Sequence, residues 1–127
     1  MIQTGACSQL GRMMVGLCAR NGIELINIVR REEQEKILAE AGGKNILNSS
    51  TETFWDDLKA LIAEKKPNVC LECVSGELTG KILNVMPRRS VCILYGALSL
   101  EGPYGIDVMG FLYQHKTLSS FILPEHM

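Results

Sequence analysis

Short apolar segments alternate with amphipathic segments along the whole chain, and this alternation limits the folds that it can adopt. The apolar segments 23–29, 69–74 and 91–95 are nearly continuous, with few polar residues among them. Strands of this kind are buried on both faces, which requires helices on both sides of a parallel sheet. Because crossovers between parallel strands are right-handed, we predict an α/β fold, a doubly wound parallel six-stranded Rossmann sheet with helices on both faces.

The predicted elements follow from apolar spacing and from turn residues. The predicted strands are 1–4, 23–29, 45–48, 69–74, 91–95 and 118–123. The predicted helices are 8–21, 32–41, 77–86 and 107–113. A further helix between 41 and 77 is capped by Ser50 or Thr51 and ends at 65–67. In the first helix, apolar residues three and four apart predict a buried face of Leu10, Met13, Met14, Leu17 and Cys18. Ligands of such sheets lie at the carboxyl ends of the strands, here the loops 5–11, 30–31, 48–50, 74–77 and 95–99.

Composition excludes several classes of function. The 127 residues have a formal net charge of −1 and no basic run, so we predict no nucleic-acid partner. No apolar run approaches the roughly 18 residues of a membrane span, and no signal-peptide pattern is present, so we predict no membrane association. Five cysteines, an odd number, indicate reduced thiols in a cytosol-like compartment. We therefore expect a cytoplasmic protein, with mitochondrial targeting of a longer parent protein left open.

The turn at residues 5–11 is the strongest candidate binding element. It has the pattern G-x-x-S-x-x-G between the first strand and the first helix, with Ser8 at a position where glycine is usual. Backbone N–H groups at a helix N-terminus have no intrahelical partner, and the helix dipole favours an anion there. Small residues such as Gly11 let a phosphate approach the backbone. The pattern therefore predicts a cradle for a diphosphate.

Two arginines follow the second strand, where a dinucleotide-binding unit contacts the adenine ribose. A domain that binds NAD needs Asp or Glu there to accept hydrogen bonds from two ribose hydroxyls, whereas Arg30 or Arg31 would pair with a 2′-phosphate. Arg30 is the stronger candidate because it ends the strand. The alternative is an exposed charge pair that starts the second helix beside Glu32 and Glu33.

The spacing of the cysteines and histidines does not favour metal or nucleophile chemistry. Cys70 and Cys73 lie three residues apart on a predicted strand, so their side chains point to opposite faces. We expect both to be buried structural thiols. His115 and His126 are the two histidines, and nothing in the sequence places either beside a cysteine. We therefore predict no metal site and no Cys–His catalytic pair.

Tyr113 and Lys116 also lack the spacing of a catalytic pair. They are three residues apart, whereas short-chain dehydrogenases separate their tyrosine and lysine by four, which sets both on one helix face. We expect these residues at the surface end of a short helix. Because no other pair converges, we predict a binding site without catalytic residues of its own.

The order and spacing of these motifs resemble the cofactor domain of the medium-chain dehydrogenase/reductase superfamily, above all its quinone oxidoreductase and enoyl reductase branch. The resemblance covers nearly the whole chain. It is carried by the turn 5–11, by the helix end and strand at 41–48, by the phrase Glu72-Cys73-Val74-Ser75-Gly76, and by Tyr95-Gly96.

This resemblance implies that the chain binds NADP(H) in an extended conformation. The backbone of Ser8, Gln9 and Leu10 would donate hydrogen bonds to the diphosphate, and Arg30 would meet the 2′-phosphate. Several NADPH-binding members of this branch have a tyrosine just after the third strand, where this chain has Ser49.

The same resemblance implies roles for three residues further along the chain. Val74 would lie along the ribose, while Tyr95 and Gly96 would line the path toward the nicotinamide.

The resemblance further implies the cofactor domain of an oxidoreductase that transfers hydride from NADPH to a quinone, an enone or an enoyl substrate. Because Met1 already lies in the first strand, we expect residues 1–127 to be a fragment that lacks the catalytic domain of the same polypeptide, together with any zinc ligands. The strand 118–123 would pair with its mate in a homodimer. The alternative is an ordinary edge strand that the tail covers.

The sequence leaves two alternative functions. A stand-alone nucleotide-binding sensor or scaffold module would bind the same ligand without turnover. A methyltransferase-like domain would need an acidic residue at the end of the second strand, where Arg30 stands.

Overall fold

Strands and helices alternate through residues 1–121, the part of the chain that the computed structural model describes. The strands are β1 (Ile2–Gln3), β2 (Ile26–Val29), β3 (Ile46–Asn48), β4 (Val69–Glu72), β5 (Val91–Leu94) and β6 (Thr117–Ser120). The helices are α1 (Gln9–Arg20), α2 (Glu32–Glu40), α3 (Phe54–Lys65), α4 (Glu77–Val85) and α5 (Val108–Tyr113). The sheet has the strand order β3-β2-β1-β4-β5-β6, and its strands are parallel. The predicted α/β fold with a six-stranded parallel sheet is confirmed.

Two predicted boundaries are wrong by several residues. The strand β2 begins at Ile26 rather than at residue 23. The helix α3 has Thr53 as its N-cap residue instead of Ser50 or Thr51, because residues 48–54 first form turns. In these turns the N–H of Thr51 donates to Asn48 O at 3.2 Å, and the N–H of Phe54 donates to Thr51 O at 3.4 Å. The last predicted strand, 118–123, corresponds to β6, and its residues 122 and 123 lie outside the described part of the chain.

The chain comprises two compact units, Met1–Lys66 and the residues from Pro67 onward. In the first unit, buried apolar residues from the turn after β1, from α1, from β2 and the residue before it, and from α2 form one cluster, with four half-buried residues around it. The buried members are Ala6, Val15, Cys18, Leu25, Val29 and Leu38. The strand β2 is buried along its whole length, as its apolar sequence predicts.

The buried face of α1 agrees with the predicted one at Cys18, and at Met14, which packs half-buried against the core, but differs elsewhere. Val15 and Cys18 are buried together with Gly11, whereas Met13 is 63% exposed and Leu17 is 45% exposed. The reason is a close approach at Gly11, where an added Cβ atom would lie 2.6 Å from the carbonyl carbon of Ala6. Contact at this glycine turns its side of the helix inward and turns the larger side chains outward.

Two buried amide side chains connect β1, β2 and α1. The Gln3 side chain donates from Nε2 to Gly11 O at 3.0 Å and to Asn27 Oδ1 at 2.8 Å. Asn27 in turn donates from Nδ2 to Lys44 O at 2.7 Å. Gln3 and Asn27 are each 1% exposed, so these bonds replace the water that their amides lose. They hold the first turn of α1 against two strands.

In the second unit, β4 alternates between half-buried and buried residues, and in β5 only Cys92 is buried, so both strands are less buried than predicted. Cys70 and Cys92 are register partners on these strands, and both are fully buried. The helix α4 contacts the loop after β5 through Gly80, where an added Cβ atom would lie 2.8 Å from the nitrogen of Ile106.

Lys116 is buried, and the expectation that it lies at the surface end of a helix is wrong. Its Nζ donates to Leu83 O at 2.7 Å and to Asn84 O at 3.2 Å. Carbonyls in the last turn of α4 lack the usual donor four residues on. The ammonium group bonds two of them, and Leu83 O also accepts from the N–H of Met86 at 3.3 Å. Burial lowers the pKa of Lys116 from its ordinary value, while the nearby Asp107 opposes this shift. Tyr113 is 70% exposed and does not share this role.

Within residues 1–121, no helix is long and apolar enough to cross a membrane.

Substitution of Gly11 by alanine is expected to destabilise the chain by about 3 kcal/mol, because the new methyl group meets backbone atoms that cannot rotate away. Gly16 supplies a matched control in the same helix, since an added Cβ there meets only the end of the Arg20 side chain, at 3.5 Å. Gly16→Ala should stabilise the chain by about 1 kcal/mol through helix propensity. Urea unfolding of the two variants measures both effects, and equal stabilities would contradict the close packing at Gly11.

Candidate functional site

The turn between β1 and α1 has the geometry of an anion-binding helix start. Ser8 is the N-cap residue, and its Oγ accepts a hydrogen bond from the N–H of Gly11 at 3.1 Å. The N–H groups of Gln9 and Leu10 stand in the first turn, where no intrahelical carbonyl can reach them. Gln9 is exposed and Leu10 is half-buried, so this end of α1 lies at the surface. The helix dipole adds a positive potential at this point.

Ser8 contributes in a different way from Gln9 and Leu10. Its own N–H donates to Gly5 O at 3.0 Å, within a turn in which Gly5 has a φ of +57°. The backbone donor expected from Ser8 is therefore already paired, and Ser8 acts through its side chain as a cap. The N–H of Ala6 donates to Ile28 O at 3.2 Å, which fixes the turn to β2.

Arg30 and Arg31 lie at the carboxyl end of β2, as predicted, and both are exposed. The guanidinium group of Arg31 lies 3.6 Å from Glu33 Oε1, and both side chains are about 70% exposed. Among the described residues, Arg30 forms no ion pair within 4 Å. Of the two arginines, Arg30 therefore has the positive charge that is free to meet a ligand.

Acidic residues surround this pair of arginines. Glu32, Glu33 and Glu35 lie in the first turn of α2, where they interact favourably with the helix dipole. An incoming phosphate would meet their negative charge unless an arginine stood between them and the ligand. The charge that an approaching anion would meet here therefore depends on where the side chain of Arg30 lies.

In the second unit, the carboxylate of Glu72 organises the loop after β4. It is fully buried and accepts hydrogen bonds from the N–H groups of Val74, at 2.7 Å, and Ser75, at 2.8 Å. The hydroxyl of Thr79 on α4 also donates to Glu72. A carboxylate that accepts several donors is well suited to hold a sharp turn. In this turn Ser75 and Gly76 both have a φ of +68°.

The loop after β5 is tied to the same turn. The N–H groups of Leu98 and Ser99 donate to Cys73 O at 3.0 Å and to Val74 O at 2.8 Å. At Gly96, an added Cβ atom would lie 3.0 Å from Cys73 O, so a larger residue would push the two loops apart. Val74 and Gly96, two predicted site residues, are therefore neighbours in one rigid pair of loops.

Tyr95, the third predicted site residue of this unit, is half-buried beside Cys73 and Glu72. Its N–H donates to Glu72 O at 2.9 Å. Burial is the main cause that raises the pKa of the Tyr95 hydroxyl, and the thiol of Cys73 adds to the rise. The hydroxyl therefore stays protonated at neutral pH.

The expectation of buried structural thiols at Cys70 and Cys73 is confirmed, since the first is fully buried and the second is 7% exposed. The neighbouring Cys92 thiol and burial raise the pKa of Cys70 well above its ordinary value, which makes it a poor nucleophile. Over residues 1–121, no group of three or more His, Cys, Asp or Glu side chains could hold a metal ion.

Sequence reasoning assigned no role to Gln3 or Gln34, gave Glu72 only as part of a family phrase, and gave Ser50 only as a candidate helix cap. Each of these residues bonds to a candidate loop. For Gln3 and Glu72 the signal was a polar residue inside an apolar strand. A cavity of about 350 Å³ lies elsewhere in the first unit, between the end of α1 and the start of β2. It is lined by Cys18, Leu25, Asn27 and Lys44, among others, and does not involve the turn at residues 5–11.

Comparisons with known proteins identify the family. A sequence model of the zinc-binding dehydrogenases matches residues 10–127. The chain belongs to the zinc-binding dehydrogenase family. The expected relation to the medium-chain dehydrogenase/reductase superfamily is confirmed as well.

Two curated relatives are mitochondrial enoyl-[acyl-carrier-protein] reductases from Arabidopsis thaliana and Homo sapiens. Each is 23% identical over 130 residues, which cover 98% of this chain and 34% of the relative. A solved structure from Mesorhizobium loti, described as a candidate NADPH:quinone reductase, is 32% identical with a TM-score of 0.91, over 99% of this chain and 37% of the other.

The fold is also shared with a more distant enzyme. The mitochondrial 2-enoyl thioester reductase Etr1p/Etr2p heterodimer from Candida tropicalis is 20% identical, with a TM-score of 0.81, over 98% of this chain and 36% of the other. In all of these comparisons the chain spans about a third of its relative.

Replacement of Glu72 by glutamine is expected to destabilise the chain by about 2–3 kcal/mol, because the amide has one acceptor oxygen and turns an N–H₂ group toward existing donors. Glu77→Gln is the control, since Glu77 is exposed and loses only a surface ion pair with Lys81, worth about 0.5 kcal/mol or less. Urea unfolding compares the two variants. Parent-like stability of Glu72→Gln would contradict the role given to the carboxylate.

Proposed function

We propose that this chain is the NADP(H)-binding domain of a medium-chain oxidoreductase that transfers hydride to a quinone, an enone or an enoyl substrate. The observation that carries the proposal is the combination, in one unit, of open N–H groups at the start of α1 with an unpaired arginine after β2. The names of the relatives, which are NADPH:quinone reductase and enoyl reductases, support the same chemistry. One related structure is described as a complex of Etr1p with NADP and crotonyl-CoA.

The residues of the first unit fit a dinucleotide. A diphosphate needs uncommitted donors and close access to the backbone, and the amides of Gln9 and Leu10 offer both. Ser8 and Gly11 keep this turn in shape, Ser8 as the cap and Gly11 as the point of close packing. A 2′-phosphate needs a cation that is not already paired, and Arg30 supplies it. Arg31 would contribute a weaker field because Glu33 lies beside it.

We assign the nicotinamide half of the cofactor to residues of the second unit. Val74 would contact the ribose, while Tyr95 and Gly96 would line the approach to the nicotinamide. The bonds from Glu72 to the 74–75 turn support this assignment, since they hold that turn in one conformation. When bound, the cofactor supplies the hydride, and the chain's own residues bind and orient it.

Substrate contacts would come from the remaining part of a longer polypeptide. The proposal treats residues 1–127 as one dinucleotide-binding domain, and the coverage of about a third of each relative supports this division. We propose that the protein works in a reducing compartment, namely the cytoplasm. The curated relatives are described as mitochondrial.

NADPH is expected to bind more tightly than NADH, and Arg30→Ala should remove most of that preference. Loss of a charge-assisted pair with the 2′-phosphate corresponds to a decrease in NADPH affinity of about 10- to 100-fold, with NADH affinity nearly unchanged. Isothermal titration calorimetry of both cofactors measures the ratio.

Arg20→Ala is the matched control, because Arg20 is an exposed arginine at the opposite end of α1. It should leave both affinities unchanged. If the parent chain binds NADPH and NADH equally, the arginine assignment fails.

We also propose that the chain forms a homodimer through strand 118–123, of which residues 122 and 123 lie outside the described part. The strand β6 ends the sheet order, and three of its four residues are exposed. The N–H groups of Thr117 and Phe121 donate inward, to Ser90 O at 2.9 Å and Leu94 O at 3.0 Å. Alternation along the strand then directs the N–H of Ser120 outward, toward a mate.

Ser120→Pro is therefore expected to convert a dimeric parent into monomers, because proline removes the outward donor and leaves the inward bonds of β6 in place. Ser120→Ala keeps the donor and should remain dimeric. Sedimentation velocity over a range of concentrations distinguishes the species. A monomeric parent, or a dimeric proline variant, would rule out this interface.

A further inference from the structure

We propose that Gln34 and Ser50 are positioning residues that hold Arg30 for recognition of a 2′-phosphate, and so set the preference for NADP(H) over NAD(H). This inference rests on the proposed function and assigns its specificity to two residues outside the β2 terminus. Neither residue is part of the glycine-containing turn or of the strand β2, which Arg30 follows.

The side chain of Gln34 binds the backbone N–H of Arg30 and that of the next residue. Its Oε1 accepts hydrogen bonds from the N–H groups of Arg30, at 3.0 Å, and Arg31, at 3.1 Å. Two donors on one oxygen fix which way the side-chain amide points, so its N–H₂ group faces away from them. Gln34 is half-buried and sits in the first turn of α2, and its own N–H donates to Arg31 O at 3.1 Å.

Ser50 binds the backbone on the carboxyl side of Arg30. Its Oγ donates to Arg30 O at 2.7 Å, although the two residues are 20 positions apart in the chain. Ser50 is itself held, because its N–H donates to Asn48 Oδ1 at 2.9 Å. The loop after β3 is thus hydrogen-bonded to the residue that follows β2.

Both backbone polar groups of Arg30 are therefore bonded by side chains in an exposed loop. Water could satisfy the same groups there, so the net gain in folding stability is small. What the two bonds do restrict is the backbone conformation of Arg30, and with it the point and direction from which the side chain extends toward a phosphate. Because Arg31 is drawn toward Glu33, the position of Arg30 decides whether a phosphate meets a cation or the acidic first turn of α2.

Ordinary helix capping does not account for this arrangement. A glutamine three positions into a helix commonly accepts from the N-cap residue alone, which here is Arg31. Gln34 also reaches one residue further, to Arg30, and Ser50 belongs to a separate loop. A capping role predicts an effect on stability, whereas a positioning role predicts an effect on the difference between ligands with and without the 2′-phosphate.

The test compares 2′,5′-ADP with 5′-AMP as calorimetric ligands of the full chain, since these two differ only in the 2′-phosphate and neither needs the nicotinamide pocket. The variants are Ser50→Ala, Ser50→Thr, Gln34→Met, Arg30→Ala and Thr51→Ala. Thr51 is the matched control, because its hydroxyl donates to Asn48 O at 2.9 Å and not to Arg30. Thermal unfolding of every variant reports stability separately.

Ser50→Ala and Gln34→Met are each expected to lower the affinity for 2′,5′-ADP about 3- to 10-fold and to leave that for 5′-AMP within about twofold of the parent. Ser50→Thr, which keeps the hydroxyl, should restore the parent ratio, and Thr51→Ala should not alter it. Equal losses of affinity for both ligands would overturn the positioning role alone. So would an unchanged ratio of 2′,5′-ADP to 5′-AMP affinity in Ser50→Ala and Gln34→Met while Arg30→Ala abolishes the preference. A parent chain without preference for 2′,5′-ADP would instead overturn the proposed NADP(H) function, and this inference with it.

Discussion

The close packing of the first turn of α1 against the end of β1 is the constraint on which the rest of the first unit depends. Gly11 is the point of contact, because any side chain there would meet the backbone of Ala6. Three further contacts hold the turn, namely the Ser8 cap, the bond from Ala6 to β2, and the buried amide of Gln3. Together they leave the first-turn amides directed outward, and an anion-binding helix start follows from packing rather than from added charge.

The second unit reaches a comparable rigidity by a different device. Here a buried carboxylate, Glu72, gathers backbone donors from the loop that follows β4, and that loop in turn binds the loop after β5. The positive φ angles at Ser75 and Gly76 are conformations that an L-residue rarely adopts without such support. A buried charged residue at the end of an otherwise apolar strand is therefore what fixes the loop that we assign to the cofactor.

In the proposed function, preference for a 2′-phosphate follows from competition between local charges at the carboxyl end of β2. Arg31 and Glu33 lie close to each other, which leaves Arg30 as the cation available to a ligand. Around it, Gln34 and Ser50 bond the backbone on either side. Ser49 stands where several NADPH-binding members of the branch that the chain resembles have a tyrosine, so the proposed recognition of the 2′-phosphate relies on the arginine.

The sequence by itself determined the α/β class, the order of elements and the position of the candidate loops, because apolar periodicity and turn residues act locally. Only tertiary structure decided which face of α1 is buried, since the approach of Gly11 to Ala6 involves atoms that no helical pattern records. The same holds for Lys116, whose ammonium group meets carbonyls more than thirty positions away and is buried for that reason. Contacts between residues distant in the chain depend on the relative placement of whole elements, which local propensity does not encode.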